Sequence, residues 1–406
     1  MASSLKPIKR MTVPMPSNAP RSHHSESLIL ITGGAGFIGQ YLARALQAAG
    51  YAVRVVDNFS PQIHAEGALA PGLPTGVDII RADVRDRAAM SRALVGVETV
   101  VHLAAETGTG QSMYEIDRYF SVNVQGTAVL LDLLQNDPCG KSVKKIVVAS
   151  SRAIYGEGAY RCKEHGLVFP DQRTRANLTS SQFEPTCPVC NAATLLEFTH
   201  ETAPFKPMSI YGLTKQVQEQ AVLLFARTNG VSGFALRYQN VYGPGQSLKN
   251  PYTGILAVFS NLARQGEPIE IYEDGAESRD FVYIDDVVEA TLRCVQHKPL
   301  YAGAFNVGSG VATTVMDVAL AIKAHFESRS PVRVTGAFRL GDIRHNVADI
   351  SLMRSILGFE PRTGFQEGIT AFLGWAGTQP AEDRLAYQRS VDELAARGLM
   401  GIGAKP

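Results

Sequence analysis

The sequence predicts an α/β fold in which a doubly wound parallel sheet is followed by a smaller α/β domain. Three observations carry this. Short apolar runs alternate with helix-length segments from Leu28 to Ser151. The first run joins its helix through a glycine-rich turn, "TGGAGFIG", which makes the sheet Rossmann-like. Between residues 156 and 205 the rhythm stops, and Cys and His recur there in chelating pairs, which predicts a zinc-ribbon-like insert.

The elements follow in order. Leu28 to Ile31 is a continuous apolar run of the kind buried on both faces of a parallel sheet. After the turn, Ile38, Leu42, Ala45 and Leu46 recur on one helical face, and "AVRVVD" forms the next strand. "VDIIRAD", "ETVVHLAA" and "KKIVVASS" continue the alternation, each separated by a helix-length stretch. Beyond the irregular segment come a helix, "SIYGLTKQVQEQAVLLFARTNG", and a strand, "GFALRYQNVYG". We therefore expect a sheet domain over 27–241 carrying the insert at 157–195, a second domain over 242–377, and a polar tail over 378–406, helical near 381–397. Residues 1–26 are rich in Pro, Ser and Lys/Arg, lack the central apolar block of a signal peptide, and read as a disordered leader.

Composition narrows the function classes. The chain has 406 residues, 45% apolar and 19% charged, with a formal net charge of +1, the profile of a soluble globular protein. With the two signs mixed, nothing favours nucleic acid or an anionic membrane. No apolar run approaches the ~20 residues of a membrane helix, so a cytoplasmic location is expected. The five cysteines are too few and too clustered for a disulfide framework; Cys139 and Cys294 stand alone as ordinary core or near-surface residues.

Gly33, Gly36 and Gly39, with Phe37 and Ile38 between them, lie directly between a strand and a helix. Such glycines let the backbone approach a pyrophosphate seated on the helix N-terminus. A glycine triplet alone can equally be a tight turn. Here Asp57, followed by Asn58, closes the second strand, where a carboxylate accepts both adenosine ribose hydroxyls and repels a 2′-phosphate, so NAD is expected over NADP. Asp83 and Val84 follow the third strand within reach of an adenine, though loop residues would look the same.

Tyr211 and Lys215 form Y-x-x-x-K, which puts both side chains on one helix face. A tyrosine of pKa about 10 is a poor base at neutral pH, and a nearby ammonium favours its phenolate. Such a phenolate exchanges a proton with a sugar hydroxyl while hydride moves to or from a nicotinamide. Ser151, at a strand end, supplies the partner hydroxyl. Taken singly, each is an unremarkable surface or strand-end residue.

"TGGAGFIG", "HLAAE", "SSRAIYG", "YGLTK", "RYQNVYGPG" and "RDFVYIDDV" together, over roughly 28–375, resemble the extended short-chain dehydrogenases/reductases, specifically the nucleotide-sugar epimerases and dehydratases. The resemblance implies a triad of Ser151, Tyr211 and Lys215, and an NAD site lined by Leu103, Ala104, Ala105, Asn123 and Gln239. It further implies that Asn240 and Arg279 hold the sugar-nucleotide diphosphate, with Arg344 as another nucleotide contact or a solvated surface arginine. The family dimerises through a four-helix bundle, here the helices near 115–136 and 209–228. Leu130, Leu131, Leu134, Val222 and Leu223 could serve in that homodimer or simply be core. The family's dehydratases carry an Asp-Glu pair just after the triad serine. Arg152 and Ala153 stand there instead, which points away from water elimination and toward epimerisation.

Cys162, His165, Cys187 and Cys190 make two pairs with two-residue gaps, separated by 21 residues. That spacing approximates a closed, four-ligand structural zinc site. It would clamp the long segment between Ser151 and Tyr211, and as an expectation the clamped segment borders the sugar pocket. "YGEGAYRCKEHG", "FEPTCPVC", "ETGTGQSMYEI" and "NPYTGILAVF" narrow the resemblance to dTDP-L-rhamnose 4-epimerases, which implies a dTDP-6-deoxyhexose substrate interconverting with 6-deoxy-L-talose. The loop "AAETGTGQSM" is expected at the sugar, with Glu106, Thr107, Thr109 and Gln111 as contacts or as groups that satisfy the loop backbone. Three other readings stay open: a UDP-sugar 4-epimerase, a 4-dehydrogenase/reductase of the same superfamily, and a zinc-ribbon binding module without catalysis.

Overall fold

The computed structural model describes residues 27–64, 72–248, 254–380 and 384–404, with backbone alone at 384–387. The leader expected at 1–26 and the start of "NPYTGILAVF" lie outside the described residues.

Seven parallel strands form the central sheet: β1 (Leu28–Thr32), β2 (Ala52–Asp57), β3 (Asp78–Arg81), β4 (Val97–His102), β5 (Lys145–Ser151), β6 (Ser232–Tyr238) and β7 (Ala302–Val307). They stand in the order β7-β6-β5-β4-β1-β2-β3. Chain order reverses between β1 and β4, and the crevice beyond the carboxyl ends of such strands is where open α/β sheets bind ligands. The register brings Thr32 opposite His102 and Ser151 opposite Tyr238, so the strand ends that carry the expected site residues are level.

Both faces are covered, as the continuous apolar strands require. Ile29 and Ile31 pack with Leu42 and Leu46 of α1 (Phe37–Ala48) on one side. Leu30 packs with Leu130, Leu133 and Leu134 of α2 (Gly126–Asn136) and with Val222 and Leu223 of α3 (Ile210–Asn229) on the other. Alternate residues of β1 thus serve opposite cores. Leu130, Leu134, Val222 and Leu223 are core residues, no more than 7% exposed, and so are withdrawn as dimer contacts. Leu224, 61% exposed, is the large apolar side chain that α3 leaves outside.

The boundary expected at 241/242 is crossed by the chain. β7 pairs in parallel with β6 along its whole length, and α4 (Ile284–Gln296) packs on the same face as α1. A strand that needs a partner some 70 residues earlier carries no local mark of the sheet it joins. A third apolar core, around Phe259, Ile271, Phe281, Ile322 and Phe372, lies in the C-terminal part of the chain.

The segment expected to be irregular holds three short antiparallel strands, Tyr160–Cys162, Gly166–Val168 and Thr194–Leu196. Three-residue strands are too short to show a period. The tail is also structured: α5 (Arg384–Ala396) leads into Met400–Ile402, which pairs antiparallel with Ala337–Arg339. Among the described residues, no helix is long and apolar enough to cross a membrane.

Candidate active site

The glycine turn follows β1. Gly33 has φ +67°, and a Cβ there would sit 2.8 Å from the Ala104 backbone; at Gly39 it would sit 2.5 Å from Gly34 Cα. The first contact seats the turn against the residues after β4, and the second packs α1 onto the strand-turn junction. Gly36 caps α1 with no side-chain hydrogen bond, so the helix's first N–H groups face the crevice without a side-chain partner at the cap. Asp57 closes β2 as expected and does more than await a ribose. Its carboxylate accepts from Ala35 N at 3.0 Å and from Phe59 N at 2.8 Å, which fixes the turn and the following loop. Asp83 is held low by its hydrogen bonds to Arg85 and accepts from Asn58 Nδ2 at 3.3 Å. Val84 is buried beneath Gly126.

Tyr211 is brought to Ser151 by local packing. Ser209 Oγ accepts from Gly212 N at 3.1 Å and starts α3, and Gly230, with φ +65°, ends it. A Cβ on Gly212 would sit 2.5 Å from the Ala153 carbonyl oxygen. The glycine next to Tyr211 therefore lets the helix press on the 3₁₀ turn Arg152–Ile154, which the Ser151 side chain caps. Burial raises the Tyr211 phenol, while its hydrogen bond with the Ser151 hydroxyl and the charge of Arg152 lower it. Lys215, 2% exposed, donates to Gln218 Oε1 at 2.8 Å, and burial pulls it down to about 7.

Behind this face lies a network the sequence did not reveal. His102 is hydrogen-bonded through Nδ1 to Thr32 Oγ1 and through Nε2 to Thr127 Oγ1, and burial holds it neutral with a pKa of about 3. Glu219 accepts from Ser150 and from Arg237, whose guanidinium also reaches the Tyr155 hydroxyl at 2.7 Å. Asn123 sits in a π-helical turn, Phe120–Gln125, a feature common at functional sites. Its amide bonds the Glu106 backbone in both directions and Thr214 Oγ1, so it fastens the loop after β4 to α3.

That loop divides its expected contacts. Glu106 is ion-paired with Arg118 at 2.7 Å, the Thr107 carbonyl accepts from the Tyr119 hydroxyl, and Gln111 donates to Glu115. Thr109 lines a cavity together with Ser209, Arg339 and Asp342. Leu103 N donates to the Thr32 carbonyl, and Ala104 N to Thr32 Oγ1. At the end of β6, Gln239 is 5% exposed with neither amide atom hydrogen-bonded, and Asn240 Oδ1 is likewise buried without a partner. Each such atom costs about 1–3 kcal/mol, which a bound ligand would offset.

Two of the expected nucleotide contacts are already bonded within the protein, and Arg344 is buried rather than solvated. Arg279 spends both terminal nitrogens on the carbonyls of Ser278, Arg344 and Ile343 and on Asp342 Oδ1. Arg344, 1% exposed, meets Glu184, Glu273 and Asp274 at 2.7–3.0 Å and keeps no N–H for a phosphate. Arg152 is close enough to Tyr211 to lower it, and Arg339 is among the residues that line the cavity.

In the insert, the ligand-type atoms of Cys162, His165, Cys187 and Cys190 all lie within 4.8 Å of one another. Cys162 Sγ is 3.7 Å from both His165 Nδ1 and Cys190 Sγ, and Cys187 Sγ is 3.7 Å from His165 Nδ1. A tetrahedron with metal–sulfur bonds of about 2.3 Å has edges of about 3.8 Å, so this donor set fits a four-coordinate metal. Bonded sulfurs would lie only about 2.05 Å apart. The backbone N–H and ring of His165 draw the Cys162 thiol down to about 6.

Comparison with known proteins adds four likenesses. The model of the NAD dependent epimerase/dehydratase family matches residues 29–175 and 179–308. The chain is 42% identical over 349 residues to the dTDP-L-rhamnose 4-epimerase of Burkholderia thailandensis, covering 86% of this chain and 94% of that protein. A UDP-glucose 4-epimerase of Thermotoga maritima, solved with UDP-glucose, superposes with a TM-score of 0.68 at 30% identity, over 86% of this chain and 98% of that one. A Thermus thermophilus UDP-glucose 4-epimerase solved with NAD gives 0.67 at 28% identity, over 87% and 100%.

Proposed function

The chain belongs to the NAD dependent epimerase/dehydratase family, and from that premise we propose that it inverts carbon 4 of a nucleoside-diphosphate 6-deoxyhexose. The pair we assign is dTDP-L-rhamnose and dTDP-6-deoxy-L-talose, on the strength of the 42% identical relative. The reaction class rests on one observation: Ser151 and Tyr211 are held together by Gly212, with Arg152 and Ala153 where elimination would need carboxylates.

The residues present fit NAD. Gly33, Gly36 and Gly39 leave room for a pyrophosphate at the α1 N-terminus, Asp57 closes β2 beside it, and the unpartnered Gln239 amide faces the same end of the sheet. Leu103 to Ala105 would border it, and Lys215 would bind its ribose. When bound, NAD accepts the hydride of carbon 4 and returns it. Tyr211, as phenolate, takes the proton from the carbon-4 hydroxyl and gives it back after the sugar presents its other face. Ser151 positions that hydroxyl, and the charge of Arg152 supports the phenolate against the cost of burial. Arg339 and Asn240 are the proposed contacts of the diphosphate. The Cys162, His165, Cys187 and Cys190 set holds a structural zinc ion, and the protein works as a homodimer in the cytoplasm.

Tyr211→Phe tests the assignment. It should retain NAD and bind sugar nucleotide with little change, while turnover falls by about 10²–10⁴-fold. Full turnover in that variant would overturn the role given to Tyr211.

A further inference from the structure

We propose that the C-terminal segment, α5 with Met400–Ile402, forms a wall that recognises the carbon-6 methyl of the sugar and sets the specificity for 6-deoxyhexoses. This rests on the epimerase reading above and names the part of the substrate that the tail reads.

The cavity beside Thr109, Ser209 and Arg339 is lined by both polar and apolar side chains. Its apolar lining is Met113, Met208, Leu340, Leu394 and Leu399, and the tail adds one polar residue, Ser390. Met113 belongs to the loop after β4, Met208 immediately precedes the cap of the helix that carries Tyr211, and Leu340 follows Arg339. Leu394 and Leu399 come from the tail. Through Met208 the wall is therefore two residues in sequence from the first residue of α3, and through Leu340 it is next in sequence to Arg339.

The tail is fastened to the cavity rim rather than draped over it. Phe338 pairs with Gly401 and Arg339 with Met400. Leu340 N donates to the Leu399 carbonyl at 2.9 Å, and Leu399 N donates to the Leu394 carbonyl at 2.9 Å. Tyr114 donates its hydroxyl to Glu393 at 2.8 Å, and the Arg397 guanidinium lies 4.2 Å from the same ring's centre. At Gly401 a Cβ would come 2.4 Å from the Phe338 ring, so glycine allows the two strands to close. Leu394 is left 5% exposed.

A 6-deoxyhexose presents a methyl group where an ordinary hexose presents a hydroxymethyl. Thioether and isobutyl groups offer the added hydroxyl only weak partners, so the wall accepts the first and disfavours the second. An apolar pocket rejects an analogue that gains one hydroxyl by about 10–100-fold.

The test compares dTDP-L-rhamnose with synthetic dTDP-L-mannose, the same sugar with a hydroxyl on carbon 6, by the ratio of kcat/KM. The wild-type protein should favour rhamnose by at least about tenfold. Leu394→Asn and Met208→Gln should each bring the ratio toward one while bound NAD stays stoichiometric. Met208 lies outside the tail, so the second variant reports on the wall even if the first loosens α5. Equal use of both sugars by the wild type, or an unchanged ratio in Met208→Gln, overturns the wall. Turnover of neither sugar by NAD-loaded wild-type protein overturns the dTDP-L-rhamnose assignment on which the wall rests.

Discussion

Replacing Cys187 with Ala removes one of the four ligand-type atoms gathered in the insert. A metal held by them would close the stretch of about 29 residues from Cys162 to Cys190. A cross-link over a loop of that size is worth about 3–4 kcal/mol. Without it the insert keeps a small apolar core of Tyr160, Cys162, Val168 and residue 187, packed by Leu196. Four side chains at about 2 kcal/mol each offset the backbone entropy of only about six residues, so the three short strands should unravel. The rest of the fold should hold, because the sheet has its own cores on both faces. The disturbance has a route to the sugar pocket. Arg173 of the insert is buried on Glu157 and Glu273 and donates to the Asp342 carbonyl at 3.0 Å, and Asp342 lines the cavity. We expect Cys187→Ala to lose its zinc by elemental analysis and to be cut rapidly by protease within 157–198. KM for the sugar nucleotide should rise by about tenfold or more, with bound NAD unchanged. A metal-free wild-type protein with equal protease resistance and equal KM would refute both the zinc and its link to the pocket.

Two further outcomes follow from the buried charges. Glu219→Gln weakens the partner of Arg237 in a site where both side chains are at most 4% exposed, so it should cost about 3–5 kcal/mol of stability in denaturant melts. An unchanged midpoint would mean that Arg237 finds another partner. In cofactor-stripped protein, Lys215 falls from 10.5 to about 7 on folding. Between those values the unfolded chain binds a proton that the folded protein has released, so stability should rise with pH across the window. The rise is about 1.4 kcal/mol per pH unit. Lys215→Met should lose that slope; an identical slope in the variant would assign it to other groups.

The elements that depend on neighbours along the chain were legible beforehand. The turn with Gly33 and Gly39, the helix that opens at "SIYGLTK", and the Tyr211/Lys215 face each rest on contacts within a few residues or one strand pair. The same holds for the Cys/His set, whose short spacings bring the ligands close once a hairpin forms. What failed depends on distant partners. Arg279, Arg339 and Arg344 look alike in the string "RLGDIRHN" and its pairing strand. Whether Arg344 keeps an N–H for ligand is decided by Glu184, Glu273 and Asp274, 70 to 160 residues away. The tail read as polar and without information because Leu394 and Leu399 gain meaning only against Met113 and Met208. Gly212 had a signal that could have been used: a glycine one residue after the expected base, in the first turn of a helix, costs helix stability unless something must come close.

The central claim is hydride-based inversion at carbon 4 with retained cofactor. Proton NMR of the purified protein with dTDP-L-rhamnose in D₂O, without added NAD, tests it most directly. The 6-deoxy-talose coupling pattern should grow in with no deuterium on the ring carbons. Deuterium at carbon 3 or 5, or talose formed only when NAD is added in stoichiometric amount, would contradict it.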